Sequence, residues 1–79
     1  MKFNFTGKQG QYLAFLHNYS KINYRPPSEA EIQRYFEVTP PTVHQMILKL
    51  EQKGLINRTP GQARSIRVLV PPNDLPHLK

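Results

Sequence analysis

The 79-residue sequence contains no cysteine. That excludes a disulfide framework and a thiolate metal site, and it suits a reducing compartment, so a cytoplasmic location is expected. Acids are scarce: five Asp and Glu against eleven Lys and Arg, a formal charge of +6. No apolar run approaches the roughly 20 residues a membrane-spanning helix needs. The opening "MKFNFTGKQG" lacks the apolar centre of a secretory signal. There is no glycine-rich phosphate loop, no Ser/His/Asp set and no paired carboxylate in an apolar setting. His17, His44 and His77 lie far apart and show no metal-ligand spacing. No catalytic residue, metal or cofactor is therefore expected. The length allows a single domain with a small core.

What is present is positive charge, and it is unevenly placed. Residues 1–25 carry Lys2, Lys8, Lys21 and Arg25 with no acid. Residues 26–41 are acidic, with Glu29, Glu31 and Glu37 against Arg34. Residues 42–70 are basic again, with Lys49, Lys53, Arg58, Arg64 and Arg67 against Glu51. A small basic domain points to a polyanionic partner, although basicity alone discriminates poorly.

Three helices and a hairpin are legible. Thr6 and Gln9 form a capping box ahead of Tyr12, Leu13, Phe15, Leu16 and Tyr19. The helix should fade near Ile22, because the prolines of "NYRPPS" disfavour helix before them. Ser28 and Glu31 form a second capping box, with Pro27 and Ile32 placed as a hydrophobic staple. Ala30, Ile32, Tyr35 and Phe36 make the expected buried side of that short helix. In "TPPTVHQMILKLEQKG", Thr39 is the N-cap and Pro40 and Pro41 fill the first two helical positions. No intrahelical N–H is lost there, so the proline pair starts this helix sharply. Val43, Met46, Ile47 and Leu50 recur at core spacing, Pro41, Gln45, Leu48 and Gln52 fall opposite, and Gly54 ends the helix. "LINR" and "RSIRVLV" read as strands around a turn centred on Pro60 and Gly61, with Ile66, Val68 and Val70 on one face. "PPNDLPHLK" reads as an extended or disordered tail. The expected architecture is α+β: residues 1–70 form a three-helix bundle with a helix-turn-helix and a β-hairpin wing, and residues 71–79 form the tail.

The segment "RPPSEAEIQRYFEVTPPTVHQMILKLEQKGLINRTPGQARSIRVLV" resembles the N-terminal DNA-binding domain of LexA-type repressors, and "FTGKQGQYLAFLHNY" resembles that family's first helix. The similarity covers about residues 4–70. It implies a winged helix-turn-helix that reads duplex DNA in the major groove and acts in transcriptional regulation. Three departures stand out. The family's self-cleaving, dimerising protease domain has no counterpart in these residues. Glu37 occupies the turn position where glycine is usual, which implies left-handed strain. The base-facing positions hold Pro41, Thr42, His44 and Gln45, so the family's operator is not transferable.

The helix position argues for roles directly. Thr42, His44, Gln45 and Leu48 are the candidate base readers: Gln45 for adenine N6 and N7, His44 for guanine N7 or O6 or a phosphate, Thr42 for a thymine methyl or a phosphate, and Leu48 for a thymine methyl or a partner protein. Thr39, Lys49, Lys53, Arg58, Gln62, Arg64 and Arg67 are the candidate phosphate-backbone contacts. Glu29 and Glu31 count against a close phosphate contact at the second helix. The expected partner is double-stranded DNA, joined by a second copy or a partner protein if binding is tight; no membrane partner is expected. A winged helix used for protein–protein interaction, or one that binds RNA, remains the alternative.

Overall fold

The computed structural model describes residues 3–79; Lys2, counted above in the N-terminal charge, lies outside the described residues. The chain runs α1 (Gly7–Asn23), α2 (Glu29–Phe36), α3 (Pro40–Gln52), β1 (Ile56–Asn57) and β2 (Arg67–Val68), followed by a 3₁₀ turn at Pro72–Asp74. Both capping boxes form. The Thr6 hydroxyl accepts from the Gln9 N–H at 3.1 Å while the Gln9 amide oxygen accepts from the Thr6 N–H at 3.0 Å. Ser28 and Glu31 reciprocate in the same way at 3.2 and 2.8 Å. Helix α1 ends one residue beyond expectation, at Asn23, where Tyr24 turns into the left-handed region with φ 60°.

Glu37 takes the left-handed conformation that its place in the helix-turn-helix turn demands, with φ 55° and ψ 49°. Its N–H and that of Val38 both reach the Gln33 carbonyl, which closes α2. Helix α3 then starts at once. Gly54, with φ 74°, ends it. The Gly54 N–H bonds to the Glu51 carbonyl and the Leu55 N–H to the Leu50 carbonyl at 2.9 Å, the paired bonds of a Schellman cap. Leu50 and Leu55 are both buried beneath it.

Helices α2 and α3 pack together, β1 packs on α3, and β2 packs on α1. The core lies between them: Tyr12, Leu13, Leu16, Ile32, Val43, Ile47, Leu50 and Leu55 are almost wholly buried. Burying each large aliphatic side chain contributes about 1.5–3 kcal/mol. Tyr12 stacks flat on Phe36, ring centroids 4.1 Å apart. Its hydroxyl is buried without a partner among the described residues, and burial raises its pKa. Ala30 and Tyr35 are exposed rather than buried. At eight residues, α2 turns only a narrow stripe inward, filled by buried Ile32 and half-buried Phe36.

The strands are antiparallel, with Ile56 opposite Val68 and Asn57 opposite Arg67. They are shorter than the sequence pattern implies because side chains satisfy the backbone beyond them. The Ser65 hydroxyl accepts from the Thr59 N–H at 3.0 Å and lies 2.9 Å from the Gln62 carbonyl, to which it donates. Pro60 and Gly61, the latter with φ 77°, form the tip, and the Gln62 N–H bonds back to the Thr59 carbonyl at 3.1 Å. The inward alternation of Ile66, Val68 and Val70 holds, with Ile66 and Val70 buried and Val68 half-buried.

Two further expectations are corrected. Residues 71–79 are not an unattached tail. Leu75 and Leu78 pack against the core. Gln11 donates to the His77 carbonyl and accepts from the Lys79 N–H, each at 2.9 Å. Gly10 allows this close approach: a Cβ there would lie 3.0 Å from both Phe5 and Pro76. The two leucines supply the burial that composition alone obscured. The second correction concerns Thr39, which is the N-cap by backbone conformation yet makes no side-chain cap bond. Pro41 has no N–H to offer, and the Thr42 N–H bonds to the Thr39 carbonyl at 3.0 Å. The Thr39 hydroxyl instead pairs with the Thr42 hydroxyl at 2.9 Å. Ser28→Ala is therefore expected to cost about 1 kcal/mol, as removal of a cap does, whereas Thr39→Ala costs clearly less. Urea unfolding of the two variants checks the order; equal losses would contradict it.

Candidate nucleic-acid interface

Three α3 positions, Val43, Ile47 and Leu50, point into the core. Their burial fixes the helix about its axis and so decides which residues face outward. Thr42, His44, Gln45, Leu48 and Lys49 are all exposed. They run along one side from the first turn to the third, the arrangement expected of a helix that presents side chains to a groove. Leu48 is 37% exposed, an apolar side chain on an otherwise polar row. Neither the Gln45 nor the Lys49 side chain makes a hydrogen bond or ion pair among the described residues. Their polar groups are available to a partner.

The start of α3 is unusual electrostatically. A helix N-terminus ordinarily offers free N–H groups to an anion. Here Pro40 and Pro41 have none, and the N–H groups of Thr42 and Val43 are both taken by the Thr39 carbonyl. Polar contact at this end therefore falls to side chains. The Thr39–Thr42 hydroxyl pair keeps one proton to donate outward. His44 Nδ1 stands 3.8 Å from a Glu29 carboxylate oxygen, both groups about half exposed. Glu29 thus places a carboxylate on the first turn of α2 beside the row on α3.

The candidate phosphate contacts divide. The side chains of Lys49, Gln62 and Arg67 are exposed and uncommitted. Lys53, Arg58 and Arg64 are held by the fold. Lys53 donates to the Gln9 amide oxygen at 2.8 Å, joining the end of α3 to the start of α1. Arg58 pairs with Glu51 at 3.0 Å. Arg64, in the left-handed region with φ 57°, donates to Glu31 at 2.6 Å and to the Pro26 carbonyl at 3.3 Å. The Glu31 bond anchors the wing to the first turn of α2.

Glu31 collects donors from three elements: Arg64 of the wing, Tyr19 of α1 at 2.6 Å, and its own capping partner Ser28. The Arg64 hydrogen bond, then those of Tyr19 and Ser28, hold its carboxyl down to about 2, against an ordinary 4.5. The same bond raises the Arg64 pKa. The local sequence signals only half of Glu31's role. Its capping box spans three residues, but its partner Arg64 lies 33 residues away.

A helix-turn-helix with an exposed polar row on its second helix, followed by an antiparallel hairpin, defines the winged helix-turn-helix class. Comparison with known proteins narrows this. The model of the LexA DNA binding domain matches residues 2–65, and the chain belongs to that family. It is 39% identical over 64 residues to a LexA repressor of Thermosipho melanesiensis, covering 81% of this chain and 32% of the relative. A LexA repressor of Thermotoga neapolitana is 40% identical over 63 residues, covering 80% and 32%. One from Bartonella quintana is 38% identical over 65 residues, covering 81% and 27%. The chain thus spans about a third of the length of these curated relatives.

The Glu31 node has a testable pH signature. Its folded-state pKa is lowered, so its contribution to stability is complete above about pH 4.5 and is lost as pH falls toward about 2. Glu31→Gln is expected to lower the melting temperature at neutral pH and to flatten its decline across that window. Thermal unfolding at a series of pH values checks this. A variant whose decline parallels the wild type would contradict it.

Proposed function

We propose that this chain is the sequence-specific double-stranded DNA-binding domain of a transcriptional regulator, acting in the cytoplasm and carrying no catalytic group of its own. The observation that carries the proposal is the exposed row on α3. Four side chains of different chemistry, Thr42, His44, Gln45 and Leu48, project from a helix whose rotation is fixed by three buried aliphatics. Such a helix lies in the major groove, with its first turns against base edges. Gln45 offers the bidentate donor and acceptor pair that matches adenine N6 and N7. His44 faces guanine or a phosphate, and Thr42 and Leu48 face thymine methyls.

Lys49 supplies a phosphate contact beside the α3 row, with the Thr39–Thr42 hydroxyl pair and Gln62 as neutral donors. Arg58, Arg64 and Lys53 act one step back, since the fold already holds their cationic groups. Family membership supports duplex DNA as the partner. The same membership counts against a winged helix that serves a protein or RNA partner. A lone domain meets one half-site, so a monomer should bind in the micromolar range at physiological salt. Tight binding then requires a second domain, from another copy or a partner protein, with half-sites spaced to match its symmetry.

Selection of bound sequences from random duplex DNA tests the proposal. The wild type should enrich a motif. Gln45→Ala should lose preference at one base pair, worth about 1–3 kcal/mol. Lys49→Ala should keep the motif but lower the salt slope of log affinity by about 0.9. No enriched motif, or an unchanged motif in Gln45→Ala and His44→Ala alike, would contradict the assignment of base reading to α3.

A further inference from the structure

The groove between the end of α1 and the wing lies apart from the row on α3. It is lined by His17, Ser20, Tyr24 and Arg25 on one side and by Thr59, Gln62 and Arg67 on the other. Lys21 adds a cation on the adjoining last turn of α1. Lys21, Arg25 and Arg67 are all exposed. Among the described residues none of them is paired with an acid, whereas Glu31 and Glu51 are engaged by Arg64 and Arg58. Glu31 is neutralised by Arg64, which itself lines the groove. The fold thus removes two cations from the wing's candidate set and leaves this cluster uncompensated. Its remaining lining is rich in hydroxyl and amide donors, the groups that accompany basic side chains at phosphates. Tyr24 stands at the rim, 94% exposed, a phenol with its donor in solvent.

Position decides what such a surface meets. Strand β1 packs on α3 and β2 on α1, so the wing stands between α3 and this groove. The domain measures 30 × 26 × 23 Å, slightly less than the ~34 Å of one helical turn of B-DNA. A second backbone contact here requires a duplex held at α3 to continue along the wing to this groove, a separation no greater than the domain's own span.

We propose that Arg25 and Arg67, with Lys21 and the Tyr24 and Ser20 hydroxyls, form a second phosphate-binding surface that grips the duplex backbone flanking the site read by α3. This rests on the reading that the partner is duplex DNA. It does not rest on which residues read bases. The surface binds the sugar–phosphate backbone, so it adds affinity and footprint length and carries no base information.

The test compares the wild type with Arg25→Ala/Arg67→Ala on two fluorescent duplexes at several salt concentrations. One duplex is trimmed to the site; the other extends a full helical turn on each side. On the extended duplex the double variant should show a salt slope shallower by about 1.8, since each phosphate no longer neutralised removes about 0.9. Trimming should weaken the wild type and leave the variant unchanged. The weakening caused by the double substitution should be equal for preferred and scrambled sequences. Arg25→Lys/Arg67→Lys should restore the slope, because the charge returns. Neither arginine is held in an ion pair among the described residues, and matching thermal unfolding curves confirm intact folding. A double variant with the wild-type slope on the extended duplex would overturn the proposal. If the wild type prefers no sequence, base reading by α3 fails while the slope comparison on any extended duplex still decides the second surface. Absence of duplex binding by the wild type overturns both.

Discussion

Glu31 joins the parts of this domain that must keep a fixed relation. One carboxylate accepts from the Ser28 N–H that starts α2, from the Tyr19 hydroxyl on α1, and from Arg64 on the wing. Its oxygens therefore link the scaffold helix, the first helix of the helix-turn-helix and the hairpin. The site is partly solvent-exposed, so each bond is individually modest. Their common acceptor gives them geometric authority: moving the wing away from α2 breaks the Arg64 bond, one of the two shortest in the set. Arg64 and Glu37 adopt left-handed backbones without being glycine, and each lies where one element is joined to the next. Strain of this kind persists only where the surroundings over-determine the conformation. For Arg64, the bonds to Glu31 and to the Pro26 carbonyl supply that constraint.

A fixed frame matters because the proposed recognition is geometric. Rotation of α3 by one residue, about 100°, would carry Gln45 out of its row. Val43, Ile47 and Leu50 prevent it from within, and the Schellman cap through Gly54 and Leu55 fixes the far end. At the near end the two prolines set the first turn without spending N–H donors. They also remove the backbone anion site that many helix N-termini present. Polar contact at the start of α3 is thereby transferred from the backbone, which carries no identity, to side chains, which do.

Local patterns are legible in the sequence where cause and effect lie within one helical turn. Thr6 with Gln9, Ser28 with Glu31, the proline pair and Gly54 can all be read from their neighbours, and so can the order of three helices and a hairpin. The outward row on α3 follows from the inward one. The long-range use of charge is not legible in this way. Arg58 and Arg64 look like free wing cations in sequence, yet their carboxylate partners lie on α3 and α2. Lys53 likewise is taken by Gln9 on α1, 44 residues away. The last nine residues resemble a tail because three prolines dilute their pattern, while Leu75, Leu78 and the Gln11 clamp need the surface of α1 to make sense. Thr39 marks a helix boundary without acting as a side-chain cap, because Pro41 removes one of the N–H groups that a capping hydroxyl would meet.

Methylation interference tests most directly whether α3 occupies the major groove of duplex DNA. Dimethyl sulfate modifies guanine N7 in the major groove and adenine N3 in the minor groove, so one reagent probes both. On a duplex that the protein prefers, N7 methylation at guanines within the site should block binding, while N3 methylation at adenines within the site should be tolerated. Interference confined to adenine N3, with every guanine N7 free to be methylated, would contradict placement of α3 in the major groove.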